Sequence, residues 1–213
     1  MSLEWAKAVE RDTSAYRDPQ GRRLVSVTEA LSIAGYVDFS MVRPDRLEKA
    51  ANRGKLAHAV TAAMDLGQAV DLEDPAMSPY CEPDELRPYI AAYEKFRADT
   101  NFVPELIEQA VQSLRHRYAG TLDRFGQLNG NRAVIDLKCT AQLDWWVGCQ
   151  LSGYERALLE GWTEGPIRRF ALRLKRDGTY HLKPYTDLAD AAKFLAAVTV
   201  ANARIQHGGL TLE

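Results

Sequence analysis

Two aspartates and a lysine, Asp123, Asp136 and Lys138, flank an Asn129-Gly130 pair. Asn-Gly between two β-patterned runs predicts a hairpin with a two-residue loop. With that loop Leu128 pairs with Asn131, and counting outward sets Asp123 opposite Asp136. Alternation then places Thr121, Asp123, Asp136 and Lys138 on one face of the hairpin. Carboxylates directly opposite each other in a sheet have Cβ atoms roughly 4.5–5.5 Å apart and repel. A divalent cation between them removes that repulsion, so the hairpin reads as a metal site. The competing reading is ordinary surface charge. Tyr118, Leu122, Phe125, Val134, Ile135 and Leu137 argue against it, because they describe strands covered on both faces. Charges in such strands are costly unless they are paired or metal-bound.

The surrounding elements follow from periodicity and punctuation. Helix is expected over Leu3 to Arg11, then a turn around Asp18-Pro19-Gln20-Gly21 and a short strand from Arg23 to Val27. The next helix is capped by Ser26 or Thr28 and closed by Gly35. Pro44 opens a helix running to about Leu66, and Pro83 opens another reaching Asp99 or Thr100. Strands are expected at Val103 to Leu114, Arg117 to Gln127 and Arg132 to Lys138, with a helix from Asp144 to Glu160. A second hairpin joins Ile167–Lys175 to Thr179–Tyr185 around Asp177-Gly178, and a last helix spans Asp187 to Gln206. The expected fold is α/β: a central mixed β-sheet flanked by helices, preceded by a helical N-terminal part.

Bulk composition sets the outer bounds. A chain of 213 residues fits one domain, here residues 1–213, with about 1–100 mainly helical and 101–213 forming the core that carries the chemistry. A hydrophobic fraction of 46% and a charged fraction of 26% are ordinary for a soluble protein. No apolar run approaches the roughly 20 residues of a membrane span. Met1-Ser2-Leu3-Glu4-Trp5 lacks the basic start and apolar core of a secretory signal. The three cysteines, Cys81, Cys139 and Cys149, are too few and scattered for a disulfide framework and fit a reducing cytoplasm. They also fall one short of a four-thiolate cluster, so no iron–sulphur cluster is expected. The net charge of −2 does not advertise a nucleic-acid binder. Its distribution is uneven, however: Arg168, Arg169, Arg173, Lys175, Arg176 and Lys183 face one acid, Asp177, between Pro166 and Pro184. Such asymmetry permits a basic face on a nearly neutral protein.

The ordered set Gly120-Thr121-Leu122-Asp123, Ile135-Asp136-Leu137-Lys138 and Gln150-x-x-x-Tyr154 resembles the PD-(D/E)XK nuclease superfamily, in particular its RecB-like and phage exonuclease branch. In that branch a histidine follows an Arg-Gly pair, as His58 follows Arg53-Gly54, and a glutamate lies one strand before the Gly-x-x-Asp element. Glu108 takes that place by its separation from Asp123, with Glu105 as the competitor. The resemblance covers about Ser26 to the C-terminus.

It implies a restriction-endonuclease-like core and a Mg²⁺- or Mn²⁺-dependent exonuclease acting on linear DNA. Asp123, Asp136, the Leu137 carbonyl, Glu108 and His58 would hold metal. Oxygen ligands suit these hard cations, and a neutral imidazole suits Mn²⁺ more than Mg²⁺. Lys138 would orient or deprotonate the attacking water, or stabilise the pentavalent phosphorus. Gln150 and Tyr154, one turn apart, would meet DNA, with Arg53 and Thr140 as further contacts. The relatives place threonine or serine directly after the lysine, whereas here Cys139 precedes Thr140. Similar phage exonucleases form homo-oligomeric rings around DNA and cooperate with a single-strand annealing protein. For a phage-encoded chain the compartment would be the host cytoplasm.

Overall fold

The computed structural model describes residues 16–207 apart from 39, 41, 76, 78 and 79, so the helix expected over Leu3 to Arg11 lies outside the described residues. In chain order the elements are β1 (Val25–Ser26), α1 (Val27–Ile33), α2 (Pro44–Asp65), α3 (Pro83–Thr100), β2 (Val103–Ser113), β3 (Tyr118–Leu128), β4 (Asn131–Lys138), α4 (Trp146–Gly161), β5 (Arg168–Leu174), β6 (Tyr180–Pro184) and α5 (Ala189–Gln206).

Local chemistry explains most of these boundaries. Ser26 accepts from the Glu29 N–H while the Glu29 carboxylate accepts from the Ser26 N–H, a complete capping box on α1. Proline opens both α2 and α3, where its missing N–H has no helical partner to lose. Asn129 and Gly130 take φ values of 50° and 74°, the left-handed pair that a type I′ hairpin turn requires.

The six strands form one mixed sheet. β3 is its axis. β2 runs antiparallel along one edge of β3, from Ser113↔Tyr118 to Val103↔Gln127. The other edge is shared. β4 pairs antiparallel with its second half, from Leu128↔Asn131 to Arg124↔Ile135, and β1 pairs parallel with Tyr118 and Ala119 at its start. Between the two partners that edge of β3 forks open at residues 120–123. β4 then continues parallel to β5, and β6 closes the far edge antiparallel to β5.

Each face of the sheet carries its own core. On one side Leu122, Phe125, Val134 and Ala171 pack with α1, α4 and α5 residues such as Leu31, Leu151 and Phe194. On the other, Ile135, Leu137 and Leu172 pack with α2 and α3 residues such as Val60, Tyr93 and Phe96. The doubly covered strands expected from their apolar flanks are therefore present. Among the described residues no helix is long and apolar enough to cross a membrane.

Candidate metal and nucleic-acid site

The hairpin register is the one counted from Asn129-Gly130, and its ladder ends at Arg124↔Ile135, one pair before Asp123 and Asp136. The two aspartates thus stand where β4 leaves β3. They are tied indirectly: the Leu137 N–H donates to Asp123 Oδ2 at 2.7 Å. The β2–β3 ladder also steps over this level, pairing Ile107 with Arg124 and Gln109 with Leu122 on either side of Glu108 and Asp123. Glu108 itself has φ of 49°, a left-handed conformation that a non-glycine residue holds in mid-strand only at a cost. That twist aims its carboxylate at Asp123 and α2.

His58 completes the group from α2. Its Nδ1 lies 3.3 Å from Asp123 Oδ1 and 3.7 Å from Glu108 Oε1, and its Nε2 lies 3.0 Å from the Leu137 carbonyl. Ligand atoms of His58, Glu108 and Asp123 all fall within 4.8 Å of one another. A hydrogen bond from one ring nitrogen to a backbone carbonyl fixes the imidazole and leaves the other nitrogen as a ligand. The Leu137 carbonyl engages His58 with one lone pair and keeps a second. Glu105, the competing glutamate, accepts from the Gln127 amide at 2.8 Å on the exposed part of the strands.

Asp136 and Lys138 form a second line running to α4. Lys138 Nζ lies 2.6 Å from Asp136 Oδ2 and donates to Gln150 Oε1 at 3.1 Å. Gln150 Nε2 in turn donates to the Tyr154 hydroxyl at 3.3 Å. The Lys138 ammonium also lies 5.8 Å from the centre of the Trp146 ring, within cation–π range. Asp123 lies against His58 of α2, Lys138 reaches Gln150 of α4, and the Asp136–Lys138 ion pair stands beside Asp123 where β3 and β4 part. Burial raises the Asp136 carboxyl above the usual carboxylate range; the neighbouring Asp123 adds to this, and the Lys138 ammonium opposes it.

Gly120 explains the first motif's glycine. A Cβ there would come within 2.9 Å of both the Tyr154 ring and the Val27 side chain. Only glycine lets α4 lay Tyr154 against β3. Thr140 is exposed, and its hydroxyl donates to the Gln142 carbonyl at 2.8 Å within its own loop. Cys139, in the place where serine or threonine was expected, has its thiol pushed up to about 12 by burial.

Sequence reasoning missed the support beneath this group. Arg124 is fully buried, and its guanidinium donates to Asp65 Oδ2 at 2.6 Å, Glu108 Oε1 at 3.0 Å, Thr61 Oγ1 at 3.0 Å and the Asp123 carbonyl at 2.7 Å. Asp65 is buried as well and also receives Arg97 and the Tyr93 hydroxyl. The available signal was spacing: His58, Thr61 and Asp65 lie three and four residues apart on one face of α2. Arg169, counted above towards a basic face, is instead buried against Asp190 and Glu155 and ties α4 to the start of α5.

No protein-family model matches the chain, and neither does any curated protein. Among solved structures it is similar to a candidate exonuclease from Eubacterium rectale, with a TM-score of 0.56 and 12% identity over 99% of this chain and 88% of that one. A likeness at that identity concerns the fold: the two chains share the architecture of a helix-flanked sheet. An alkaline exonuclease from Laribacter hongkongensis aligns at a TM-score of 0.39 and 11% identity, covering 87% of this chain and 89% of that one. A superposition that loose carries no argument.

Proposed function

We propose that the chain is a metal-dependent DNA exonuclease of the PD-(D/E)XK superfamily, in its RecB-like and phage exonuclease branch, acting as a single nuclease domain in phage recombination or DNA processing. The observation that carries this reading is the meeting of His58, Glu108 and Asp123 within 4.8 Å beside the buried Asp136–Lys138 pair. The shared architecture with a protein described as an exonuclease supports it.

The donor set fits a hard divalent cation: carboxylates, a backbone carbonyl and one imidazole. The buried Asp136 carboxylate fits it too: burial disfavours its ionised form and the neighbouring Asp123 adds to that, so a cation beyond the Lys138 ammonium would favour the charged pair. Asp123, Glu108, His58, Asp136 and the Leu137 carbonyl would hold Mg²⁺ or Mn²⁺. When bound, such an ion activates water and screens the phosphate's charge.

The chain's own groups supply the remaining steps. Asp136 draws Lys138 into the fork, and Gln150 holds the ammonium from the α4 side. Lys138 then orients the attacking water or offsets negative charge growing on the phosphorus centre. Gln150 and Tyr154, coupled to each other, contact the strand beside the scissile phosphate, with Arg53 and Thr140 as outlying contacts. Arg124 touches no substrate; it positions Glu108 and the Asp123 backbone from below.

The test is a nuclease assay in Mg²⁺ and in Mn²⁺ comparing linear duplex, single-stranded and covalently closed circular DNA. Linear DNA should be degraded, circles spared, and Lys138→Ala and Asp136→Ala inactive. Undiminished cleavage by those variants sinks the assignment, and cutting of closed circles redirects it to an endonuclease.

A further inference from the structure

A cavity of about 590 Å³ opens between the first half of α2, the start of α3 and the β5–β6 turn. Four cations line it, Arg46, Lys49, Arg53 and Arg176, against two carboxylates, Asp84 and Glu85. Arg46, Lys49 and Arg53 recur at intervals of three and four, so one face of α2 presents all three. Arg176 reaches in from the opposite wall, its Nε donating to the Tyr89 hydroxyl at 3.1 Å.

Arg53 makes this more than a charged surface. It is only 7% exposed, with its guanidinium over the Tyr89 ring, 5.3 Å from the ring centre. Its Nε is buried without a hydrogen-bond partner, and its Nη1 lies 3.9 Å from Glu85 Oε2, beyond hydrogen-bond distance. A buried guanidinium left this way is under-satisfied, and its planar donor fork matches a phosphate. The acids do not cancel it. Asp84 is fully solvated and lies 3.5 Å from Arg87, and Glu85 is 60% exposed.

The cavity's place relative to the metal group is set by α2. At 1.5 Å per residue, Arg53 lies about 7 Å along the helix from His58 and Arg46 about 18 Å. From Lys138 the sheet continues the same way: Arg173 lies beside it on β5, which leads through Lys175 to Arg176.

We propose that Arg46, Lys49, Arg53 and Arg176 form a phosphate-binding site that holds the substrate strand at a phosphate away from the scissile one. The assignment of a nucleic-acid ligand rests on the nuclease reading. The shared chemistry is a phosphate oxyanion, either an internal phosphodiester or a terminal monoester. The cavity sets how far the strand must extend past the metal group to be gripped.

The test is binding without cleavage. The full chain, in EDTA, is titrated into fluorescein-labelled single-stranded oligodeoxynucleotides at several salt concentrations and followed by anisotropy. The variant Arg46→Gln/Lys49→Gln/Arg176→Gln changes only exposed cations and leaves Arg53 packed on Tyr89; a melting curve matching wild type checks its fold. Affinity should fall, and the slope of log K against log salt should shrink by roughly 0.7 for each contact removed. Equal losses on 5′-phosphorylated, 5′-hydroxyl and circular strands assign an internal phosphodiester, and losses confined to 5′-phosphorylated ends assign a terminal monoester. Unchanged affinity and slope overturn the site, even if the wild type degrades DNA. A wild type that binds through these cations yet cleaves nothing overturns the nuclease reading alone.

Discussion

Arg124 Nη1 lies 3.0 Å from Glu108 Oε1, and the two residues stand one level apart on β3 and β2. Among the described residues Glu108 is the one strand residue in the left-handed region, so the arginine holds in place a carboxylate whose backbone would otherwise relax. Because Arg124 and Asp65 are both fully buried, neither can lose its partner cheaply. Arg124→Ala should lower unfolding free energy by about 3–5 kcal/mol, measured by urea denaturation. A loss below about 1 kcal/mol would show that the network adds little.

The proposed metal ligands should reveal themselves through stability before any substrate is added. A ligand that binds only the folded state contributes about 2.7 kcal/mol at a hundred times its Kd. Mn²⁺ should therefore raise the melting temperature of the wild type. In His58→Ala and Glu108→Gln the rise should shrink at the same Mn²⁺ concentration, with calorimetry showing weaker binding. An unchanged Mn²⁺ affinity in both variants would remove these residues from the ligand set.

Asp136 should show opposite signs in stability and activity. Burial holds its folded-state pKa above the unfolded value, so between the two the folded chain keeps a proton that the unfolded chain has lost. In EDTA, stability should accordingly fall as pH rises through that window and stay reduced above it. Asp136→Asn removes this contribution, so at neutral pH it should melt higher than the wild type in EDTA while losing nuclease activity. A variant that melts lower throughout would mean that the Lys138 pairing outweighs burial.

Gly120 and Tyr154 offer a steric test. The Cβ of Gly120→Ala would meet the Tyr154 ring at 2.9 Å, and overpacking of this kind costs typically about 1–3 kcal/mol. Displacing the ring should also break its contact with Gln150, so KM for DNA should rise more than kcat falls. Tyr154→Phe keeps the ring packing and removes the hydroxyl that accepts from Gln150, a hydrogen bond whose loss typically costs about 1 kcal/mol. If Gly120→Ala melts like the wild type, the close approach is not a constraint.

Much of this was legible in the sequence because the signals were local. Asn129-Gly130 dictated a turn, Pro44 and Pro83 opened helices at their observed starts, and of the two cap candidates, Ser26 and Thr28, the structure uses Ser26. Asp123, Asp136 and Lys138 were singled out by short spacing within one hairpin, and that hairpin forms with the expected register. What escaped depended on long-range geometry. The fork between β1 and β4 arises because two strands share one edge of β3, and neither strand's residues announce the other. The role of Arg124 was hidden for the same reason: a lone arginine in an apolar strand is explained by Asp65 and Thr61, about sixty positions earlier, and by Glu108 on the neighbouring strand. Charge counting misplaced Arg169 because burial, not residue type, decides whether a cation reaches solvent.

The fork along β3 also bears on when the centre comes into being during synthesis. Its components are drawn from α2, β2, β3, β4 and α4, and the edge opens only where β1 and β4 have both docked. A nascent chain emerging from the ribosome holds His58, Glu108 and Asp123 well before Lys138 and Gln150 have left the exit tunnel. Truncated or stalled products would lack Lys138 and the Gln150 amide that holds it. The same topology thus makes the site a late product of synthesis, complete only after α4 has followed β4.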